Sequence, residues 1–420
     1  MFSTRDRWTK DADRLCGVGE CDKSDNARMA SDDLGDLEVV IDDDLLGPEL
    51  RLNPHAYFHR LRALDPVHWN AKYKAWVLTR YEDVVTGFRD VRLSSERIDA
   101  DGFPLLGRWM VFLNPPRHTR LRRLVGNAFS PRAIAGFRPR IEGLVEQLLD
   151  DARGPAEFIS VFASPLPAMV IAELMGVPPA DRARFLDWSD KIAGVVFGAL
   201  NRPDRRARAE AGLYDFDAYF RDLAESSDGT LVAALAAATE GDDRLTMDEI
   251  VATCTLLLFA GHSTTTTLLA NGLLSLLECP NELKRLRSDP SLGASAVEEL
   301  LRFEGPTGIM TRVVVEPVEI GGRRIGVGDR VFLGVAAANR DPARFPEPDR
   351  LDVGRHDAGQ LGFGYGIHHC LGAAVARLET EIALGAILGR FPDLRLPDGA
   401  AEWSVGLLGR SLRRLQVDFG

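Results

Sequence analysis

One run of the sequence constrains the fold more than any other, because residues Ile250 to Leu277 include no aspartate, glutamate, lysine or arginine. Thr246 and Glu249 have the spacing of a capping box, which predicts that a helix begins just before the run. As a helix, its 28 residues extend about 42 Å, enough to cross a membrane. Polar side chains lie in its middle: His262, Ser263, Thr264 to Thr267 and Asn271. They favour a buried helix that crosses a large globular domain over a membrane span.

The composition fits one large globular domain. The chain has 420 residues, of which 45% are hydrophobic and 27% are charged, an ordinary balance for a protein with a large core. Residues 1–40 are polar, acid-rich and without periodicity, so we expect a disordered or extended N-terminal arm there and a single domain over residues 41–420. The formal net charge of -11 argues against a nucleic-acid-binding protein.

The cysteines indicate a reducing compartment. There are five, an odd number without the spacing of a disulfide framework. The sequence does not begin with a basic segment followed by an apolar one, so it predicts neither a signal peptide nor a membrane anchor. We therefore expect a cytoplasmic protein with no membrane partner.

A second stretch, L-G-F-G-Y-G-I-H-H-C-L-G at residues 361–372, carries the chemistry. Cys370 stands between a glycine-rich loop and the predicted start of a helix, a setting that favours the thiolate and therefore metal ligation. One thiolate cannot complete a tetrahedral zinc site, and no C-x-x-C lies nearby. It can be the sole protein ligand of a haem iron. A buried, unreactive cysteine behind a tight turn is the simpler alternative.

The stretch matches the pattern F-G-x-G-x-H-x-C-x-G at Phe363, Gly364, Gly366, His368, Cys370 and Gly372. It therefore resembles the haem-binding signature of the cytochrome P450 haem-thiolate monooxygenases. The resemblance implies a mainly α fold with a small β-sheet region, an α+β arrangement in the form of a triangular helical prism. It also implies haem b as the cofactor, with Cys370 as the axial ligand of the iron and Phe363, Gly364, His368 and Gly372 at the haem.

Three further residues match haem contacts of the family. His118 and Arg122 are four residues apart on one face of a predicted helix, and in the family an H-x-x-x-R at this place binds a haem propionate. Taken alone, the pair would better suit a solvated basic helix. By position in the family, residues 93–111 are the expected substrate loop, and the place of the pair just after this loop favours the haem contact. Arg312, in a strand-rich segment, matches the third propionate-binding residue.

Inside the uncharged run, A-G-H-S-T-T at residues 260–265 resembles the oxygen-binding motif of the family, A-G-x-[D/E]-T-T. The resemblance implies that Ala260 and Gly261 give a flat face where the haem approaches and that Thr264 supplies a catalytic hydroxyl. Ser263 stands where the family has an acid. We expect Thr264 and ordered water, or a polar group of the substrate, to complete proton delivery in its place.

Glu299 and Arg302 lie at i and i+3 on a helix that a second capping box, Ser295 to Glu298, is predicted to open. As a surface pair they would contribute only a few tenths of a kcal/mol. The family has E-x-x-R in this order, completed by a later arginine that fits Arg350. Such a buried triad would lock the region that holds the cysteine loop, so we expect all three residues to be structural.

Pattern and position add further expectations. The periodicity predicts a helix from Asn53 to Asp65, strands at 67–69 and 75–78, a helix over 81–88, a hairpin around residues 321–322 and an exposed connection over 202–210. By position in the family, the substrate pocket should be lined by Phe103, Leu105, Thr307, Ile309, Met310 and Leu407.

The resemblance covers residues 52–419 and points to the soluble bacterial cytochromes P450. It implies a monooxygenase that oxidises a small organic molecule, of the specialised-metabolite kind, by hydroxylation, epoxidation or oxidative coupling. Dioxygen is the implied co-substrate, and electrons from NAD(P)H would arrive through a ferredoxin reductase and a ferredoxin. A peroxide-driven or otherwise atypical haem-thiolate enzyme and a non-catalytic haem-binding protein stay open as alternatives.

Overall fold

The computed structural model describes residues 41, 43–96, 106–126, 129, 134–181, 184, 187–188, 203–226, 230–240, 242–357, 359–406 and 409–420. The N-terminal arm expected over residues 1–40 lies outside this part of the chain. Helices predominate among the described residues, and the strands form small sheets. The expectation of a mainly α fold with a small β-sheet region is confirmed.

The α-helices in these ranges are α1 (Pro48–Leu52), α2 (Pro54–Leu64), α3 (Tyr81–Arg89), α4 (Arg117–Gly126), α5 (Arg138–Leu149), α6 (Pro165–Met175), α7 (Pro203–Ser226), α8 (Leu231–Ala237), α9 (Met247–Glu278), α10 (Pro280–Ser288), α11 (Gly293–Glu304), α12 (Val335–Ala338) and α13 (Ala373–Arg390). The strands are β1 (Val67–Asn70), β2 (Ala75–Leu78), β3 (Leu93–Ser94), β4 (Pro155–Glu157), β5 (Thr239–Glu240), β6 (Asp243–Arg244), β7 (Ile309–Val314), β8 (Val318–Ile320), β9 (Arg323–Ile325), β10 (Arg330–Gly334), β11 (Ala401–Gly406) and β12 (Gly409–Asp418).

Helix α9 contains the uncharged run, and it begins as its capping box requires. The Thr246 side chain accepts a hydrogen bond from the Glu249 N–H, and the Glu249 carboxylate accepts one from the Thr246 N–H at 2.8 Å. The helix spans 32 residues and packs against α6, α7, α11 and α13. Most of its apolar side chains are buried by these neighbours. Among the described residues, no helix is long and apolar enough to cross a bilayer.

A five-stranded sheet, in the order β1-β2-β10-β7-β3, supports the cysteine loop through one of its covering helices. Strands β2 and β10 are parallel, and the other neighbours are antiparallel. Phe332 of β10 belongs to an apolar cluster with Phe58 of α2, whereas Val331 and Leu333 belong to one with α3 on the other face. Helix α3 in turn contacts the short helical turn Gly366–His368 of the cysteine loop.

A second sheet, β11-β12-β4, turns close to the chain that precedes β7. At Gly409, which has φ +152°, a Cβ atom would lie 2.8 Å from the Pro306 carbonyl oxygen and 2.9 Å from the Gly308 nitrogen. These contacts leave no room for a side chain, so glycine is required there. The two-stranded hairpins β5-β6 and β8-β9 complete the described sheets, and β8-β9 turns at residues 321–322 as predicted.

The early elements match their predictions, since α2, β1, β2 and α3 lie where the periodicity placed them. Two later predictions are wrong. Helix α11 begins at Gly293, ahead of the supposed capping box. The Ser295 hydroxyl does not cap it but donates to the carbonyls of Leu292, at 2.9 Å, and Val353, at 2.7 Å. The connection expected over 202–210 is largely helical, because α7 begins at Pro203.

Candidate cofactor site

The cysteine loop is closed by its own backbone. The Cys370 N–H donates to the Phe363 carbonyl at 2.8 Å. Gly364 and Gly366 both have φ +71°, a conformation that residues with a side chain rarely adopt. A Cβ at Gly366 would also lie 3.2 Å from the Phe88 carbonyl oxygen of α3. The two glycines therefore set the shape of the loop that presents the thiol.

The Cys370 thiol is free and exposed, two residues before the N-cap of α13 at Gly372. The protein atoms that enclose its base raise the pKa of the thiol by desolvation, while the Gly372 N–H, Arg122 and Arg377 oppose the rise. The net direction is upward. The helix start acts toward the thiolate, as expected, but burial outweighs it, and a bound cation such as iron would favour the thiolate further.

One face in the middle of α9 is not covered by protein. Ala260 and Thr264 are exposed, while Phe259 and His262 beside them are buried. Residues at i and i+4 share a helix face, so Ala260 and Thr264 border one continuous opening. The Thr264 hydroxyl donates to the Ala260 carbonyl at 2.7 Å, which keeps its proton within the helix. Ser263 is half-buried next to Thr264.

Gly261 and His262 face neighbouring helices instead. A Cβ at Gly261 would lie 2.6 Å from Cδ1 of Ile171 in α6. Gly261 therefore has a role in packing α6 on α9, because a side chain there would displace Ile171. The buried His262 ring has its Nε2 3.1 Å from the Ser164 hydroxyl, just before α6. Of the two residues expected to approach the haem, Ala260 alone lies on the open face.

Arg312, in β7, carries a buried charge without a carboxylate partner among the described residues. The residue is 4% exposed. Its Nη1 donates to the Thr311 carbonyl at 2.9 Å, and its guanidinium lies 5.4 Å from the Phe88 ring centre. Burial lowers the pKa of Arg312 to about 10. A buried guanidinium with one backbone acceptor and a ring face is destabilising unless an anion is bound beside it.

Two histidine rings lie near this arginine, with their centres 4.2 Å apart: His118 of α4 and His368 of the cysteine loop. The Nδ1 of His118 is buried and lacks a hydrogen-bond partner in the described part of the chain. Burial, followed by Arg122, lowers the pKa of His118. Burial, followed by His118, Arg312 and Arg122, lowers the pKa of His368 to about 3. Four hydrogen-bond donors, two of them cationic arginines, are therefore gathered in one place.

A group that fits these donors must be anionic and must lie next to Cys370. Burial lowers the pKa of Arg122, and Cys370 is the one group that acts in the opposite sense. Haem brings two carboxylates and an iron atom. The carboxylates would satisfy the cationic donors, and the iron would take the thiolate. The residues present therefore fit a haem.

A buried ion-pair set lies behind the loop, and its third member differs from the prediction. The Glu299 carboxylate accepts hydrogen bonds from Arg302 at 2.7 and 2.8 Å, and both side chains are 1% exposed. The second arginine is Arg355, whose Nε lies 3.1 Å from Glu299. The expectation of Arg350 in this place is wrong, because its exposed side chain pairs with Asp352. Only the Arg350 carbonyl takes part, accepting from both buried arginines at 3.2 Å.

The expected pocket residues divide into three groups. Three lie outside the described residues: Phe103, Leu105 and Leu407. The prediction for Ile309 is wrong, since this residue is 5% exposed and packs with Phe332 in the apolar cluster between the sheet and α2. Met310 is half-buried on the opposite face of β7. The Thr307 hydroxyl donates to the Gly362 carbonyl at 3.1 Å and so ties its segment to the cysteine loop.

Sequence reasoning missed two residues of this region, Arg355 and Ser95. Arg355 is the next arginine after Arg350, but spacing alone cannot show which of the two turns inward. The Ser95 hydroxyl lies 3.1 Å from His368 Nε2 across 273 positions of sequence. No local pattern around Ser95 signals that contact.

A single bound haem accounts for both the cysteine loop and the unpaired donors, which makes this a haem-thiolate protein by class. The family model of Cytochrome P450 matches residues 217–290 and 292–403. Cytochrome P450 107B1 of Saccharopolyspora erythraea is 42% identical over 366 residues, which are 82% of this chain and 89% of that relative.

Solved structures agree. P450BioI, in complex with an acyl carrier protein ligated to hexadec-9Z-enoic acid, has a TM-score of 0.83 at 34% identity and covers 89% of this chain and 99% of its own. The polyketide synthase cytochrome P450 PksS of Bacillus subtilis has a TM-score of 0.82 at 34% identity, with 90% and 99% covered. The chain therefore belongs to the cytochrome P450 family, and it is an oxidoreductase of the monooxygenase type.

Proposed function

We propose that this protein uses haem b and dioxygen to hydroxylate, epoxidise or oxidatively couple a small organic molecule. The observation that carries the proposal is the buried guanidinium of Arg312, which has no carboxylate partner in the described residues and lies near His368 of the cysteine loop. The carboxylates of a haem would supply that partner, and its iron would supply the cation that Cys370 needs.

In this proposal, different residues bind the iron and the carboxylates of the cofactor. Cys370 would hold the iron through its thiolate, and Phe363, Gly364 and Gly372 would shape the loop around the haem. The carboxylates would be bound by the gathered donors: His118, Arg122, Arg312 and His368. When bound, haem supplies the redox chemistry that activates dioxygen.

Thr264 and Ser263 are the polar side chains at the open face of α9, and we assign proton delivery to this face. A serine hydroxyl can hold a water molecule but cannot release a proton near neutral pH. Rotation of the Thr264 side chain would turn its hydroxyl from the Ala260 carbonyl toward a molecule bound at the opening. The relay would be completed by ordered water or by a hydroxyl or carboxyl group of the substrate.

Electrons would come from NAD(P)H through a ferredoxin reductase and a ferredoxin that docks beside the cysteine loop. Ile367 is 48% exposed on that loop, and Arg89 donates to the Tyr365 hydroxyl nearby at 2.6 Å. Arg123 of α4 is exposed as well, whereas Arg377 is paired with Glu298. An apolar centre with arginines around it suits an acidic partner. Electron transfer should therefore slow with added salt and in Arg123→Glu, and a rate indifferent to both would count against this surface.

The experiment that tests the proposal is the spectrum of the reduced protein under carbon monoxide. A thiolate-ligated haem gives a strongly red-shifted Soret band, so wild-type protein should show that band and Cys370→Ala should lose it. Cys279→Ala, which alters another thiol, is the control and should keep the band. A wild-type protein without the band, or a Cys370→Ala variant that retains it, would contradict the assignment.

Ser263 specifically favours one alternative, a peroxide-driven or atypical haem-thiolate enzyme, because the acid of the family motif is missing. A non-catalytic haem-binding protein would need Cys370 but would have no use for Thr264. Product formation with NADH and a surrogate ferredoxin system, set beside a peroxide-only reaction, separates the three. Our proposal requires product in the first reaction.

For the substrate, we propose a specialised metabolite that a carrier protein can present. The sequence places four arginines close together in an acidic chain, Arg202, Arg205, Arg206 and Arg208, and such a run of positive charge attracts an acidic protein. Spectral titration with a free acyl chain and with the same chain on a carrier protein tests this. Tighter binding of the tethered form, lost in Arg205→Glu/Arg206→Glu, supports it; equal binding contradicts it.

A further inference from the structure

Ser95 contacts the His368 ring at Nε2, which leaves Nδ1 for another partner. Its Oγ lies 3.1 Å from His368 Nε2 and 3.4 Å from the Leu113 carbonyl oxygen. Ser95 is 9% exposed, so water competes little for either contact. His368 itself is half-buried, and no hydrogen bond to its Nδ1 is present among the described residues.

The single proton of the Ser95 hydroxyl decides which nitrogen of a neutral His368 carries hydrogen. If that proton goes to the Leu113 carbonyl, His368 must donate from Nε2, and Nδ1 becomes a bare acceptor. If it goes to Nε2, the hydrogen of the ring sits on Nδ1, where it is free for another partner. The contact with Nε2 is kept in both arrangements, and the contact with Leu113 is near the outer limit for a hydrogen bond, so little is lost when the proton goes to Nε2. An acceptor at Nδ1 then favours the second arrangement.

We propose that Ser95 is a positioning residue that holds His368 in the Nδ1–H tautomer, so that the ring donates to a carboxylate of the bound cofactor. The proposal rests on the haem site proposed above. A bare Nδ1 facing a carboxylate would set one lone pair against another. Removal of the Ser95 hydroxyl makes that tautomer accessible and loosens the ring, as loss of an outer partner does for other histidines at metal and cofactor sites.

Neighbouring contacts keep Ser95 in place. It follows β3, in which Ser94 is the register partner of Val313 in β7. The Asn114 side chain donates to the Ser94 hydroxyl at 2.7 Å, and the Asn114 carbonyl accepts from the His118 N–H at 2.9 Å. The two serines thus connect β7, the start of α4 and the cysteine loop. These are the three elements that carry the donors for the cofactor.

Two variants test the proposal. Ser95→Ala removes the hydroxyl, and Ser95→Thr keeps it and is the control. Each variant is first checked for the red-shifted carbon monoxide band. The measurements are the rate of ferric haem transfer to excess apomyoglobin and the propionate bending bands in resonance Raman spectra. Ser95→Ala should release haem about tenfold faster and shift those bands, whereas Ser95→Thr should match the wild type.

The inference is overturned if Ser95→Ala and Ser95→Thr behave alike in both measurements. It is also overturned if Ser95→Ala has the same effect in a His368→Asn background, because Ser95 would then act independently of the ring. If Ser95→Ala does not fold, ¹⁵N-histidine spectra of the reduced wild-type carbon monoxide complex decide. Hydrogen on Nδ1 of His368 supports the proposal, and hydrogen on Nε2 overturns it. A wild-type protein without the red-shifted band would overturn the haem site itself.

Discussion

Among single residues, the buried arginines show how the candidate site differs from the rest of the protein. Arg340 is 2% exposed, but it donates to the Phe303 carbonyl at 2.6 Å and pairs with Asp349 at 2.9 Å. Arg312 is buried to a similar degree and has only the Thr311 carbonyl as a described hydrogen-bond acceptor. A paired arginine is satisfied within the chain, whereas Arg312 requires an anion from outside it.

Glu379 of α13 is the acidic counterpart, and it makes stability depend on pH. It is 2% exposed, its Oε1 lacks a hydrogen-bond partner in the described residues, and burial raises its pKa from 4.5 to about 8. Below pH 4.5 both the folded and the unfolded chain are protonated there. Between pH 4.5 and 8 only the unfolded chain loses the proton, so the free energy of unfolding falls as pH rises, by about 5 kcal/mol in all.

Glu379→Gln should remove this dependence. Its free energy of unfolding, relative to the wild type, should therefore increase from pH 5 to pH 8. Denaturant titrations of the haem-loaded proteins at several pH values measure the difference. Glu381→Gln, on the same helix but paired with Arg138, is the control and should show no such trend. A constant difference between Glu379→Gln and wild type at pH 5 and pH 8 would exclude a raised pKa.

Ser263 gives a second prediction at this scale. Ser263→Glu restores the acid of the family motif on a half-buried position, so it should leave substrate affinity nearly unchanged. It should change the fraction of NADH that ends in product and the solvent isotope effect, since a carboxyl group can release a proton where a hydroxyl cannot. Thr264→Ala provides the comparison. If both quantities are unchanged in Ser263→Glu, this side chain lies outside the relay.

Between elements, charges at the first turn of α9 join three parts of the protein. Asp248 pairs with Arg108, at 2.8 Å, in the turn that follows residue 105, and with Arg221 of α7. Arg120 of α4 pairs with Glu249 of the capping box at 2.6 Å. Negative charge is favourable at a helix N-terminus, so the same carboxylates stabilise α9. The expected substrate loop and α7 are thus held at one point by partly exposed pairs.

Asp248→Asn should weaken the contact between the turn and α7 but have little effect on the free energy of unfolding. The pairs are partly exposed, so the loss of stability should be less than about 1 kcal/mol. Ligand dissociation should nevertheless become faster, because the turn and α7 separate more readily. Stopped-flow dissociation of a haem-binding azole measures this rate. In the wild type it should rise with salt, and in Asp248→Asn it should be high and nearly independent of salt.

Asp217→Asn is the matched control for this prediction. Asp217 also pairs with Arg221, at 2.7 Å, but both residues lie on α7. Loss of this pair therefore does not change a contact between two elements. Dissociation from Asp217→Asn should follow the wild type in rate and in salt dependence. Equal rates in wild type and Asp248→Asn would show that Asp248 does not restrain the turn and α7.

Across the whole molecule, the buried ion pairs and the cysteine loop form one connected support. Arg302 donates to the Asn339 carbonyl at 3.0 Å, and the Asn339 side chain accepts from the Leu361 N–H, where the loop begins, at 2.8 Å. Glu299 holds Arg302 from one side and the chain around Arg355 from the other. The position of the thiol therefore depends on charges far from it in sequence.

Arg355→Ala should consequently be severe and Arg350→Ala mild. Removal of Arg355 leaves a buried carboxylate without one of its two cations, at a cost of about 3–5 kcal/mol, and should greatly reduce haem loading. Arg350 is exposed and contributes through its carbonyl, which alanine retains. Melting temperature and the carbon monoxide band per unit of protein measure both effects. Equal losses of melting temperature and of haem loading in the two variants would show that the Arg350 side chain belongs to the buried ion-pair set.

Local signals in the sequence determined helix α9 and the loop that presents the thiol. The capping box at Thr246 and the uncharged run after it predict α9, because the start of a helix and its buried face both depend on residues that are only a few positions apart. The glycine spacing around Cys370 likewise determines the loop, since its closing hydrogen bond and its positive φ angles involve the loop itself and one neighbouring helix.

Only the tertiary structure decided which side chains meet. Arg355 replaces Arg350 because the chain after residue 345 turns one arginine inward and the other to solvent. Ile309 faces the core because the alternation of side chains along β7 is set by its pairing with β10. Gly261 packs against α6 because that helix lies against α9 there. The contact of Ser95 with His368 depends on packing between segments 273 positions apart. Contacts of this kind depend on the path of the whole chain, which short-range spacing does not encode.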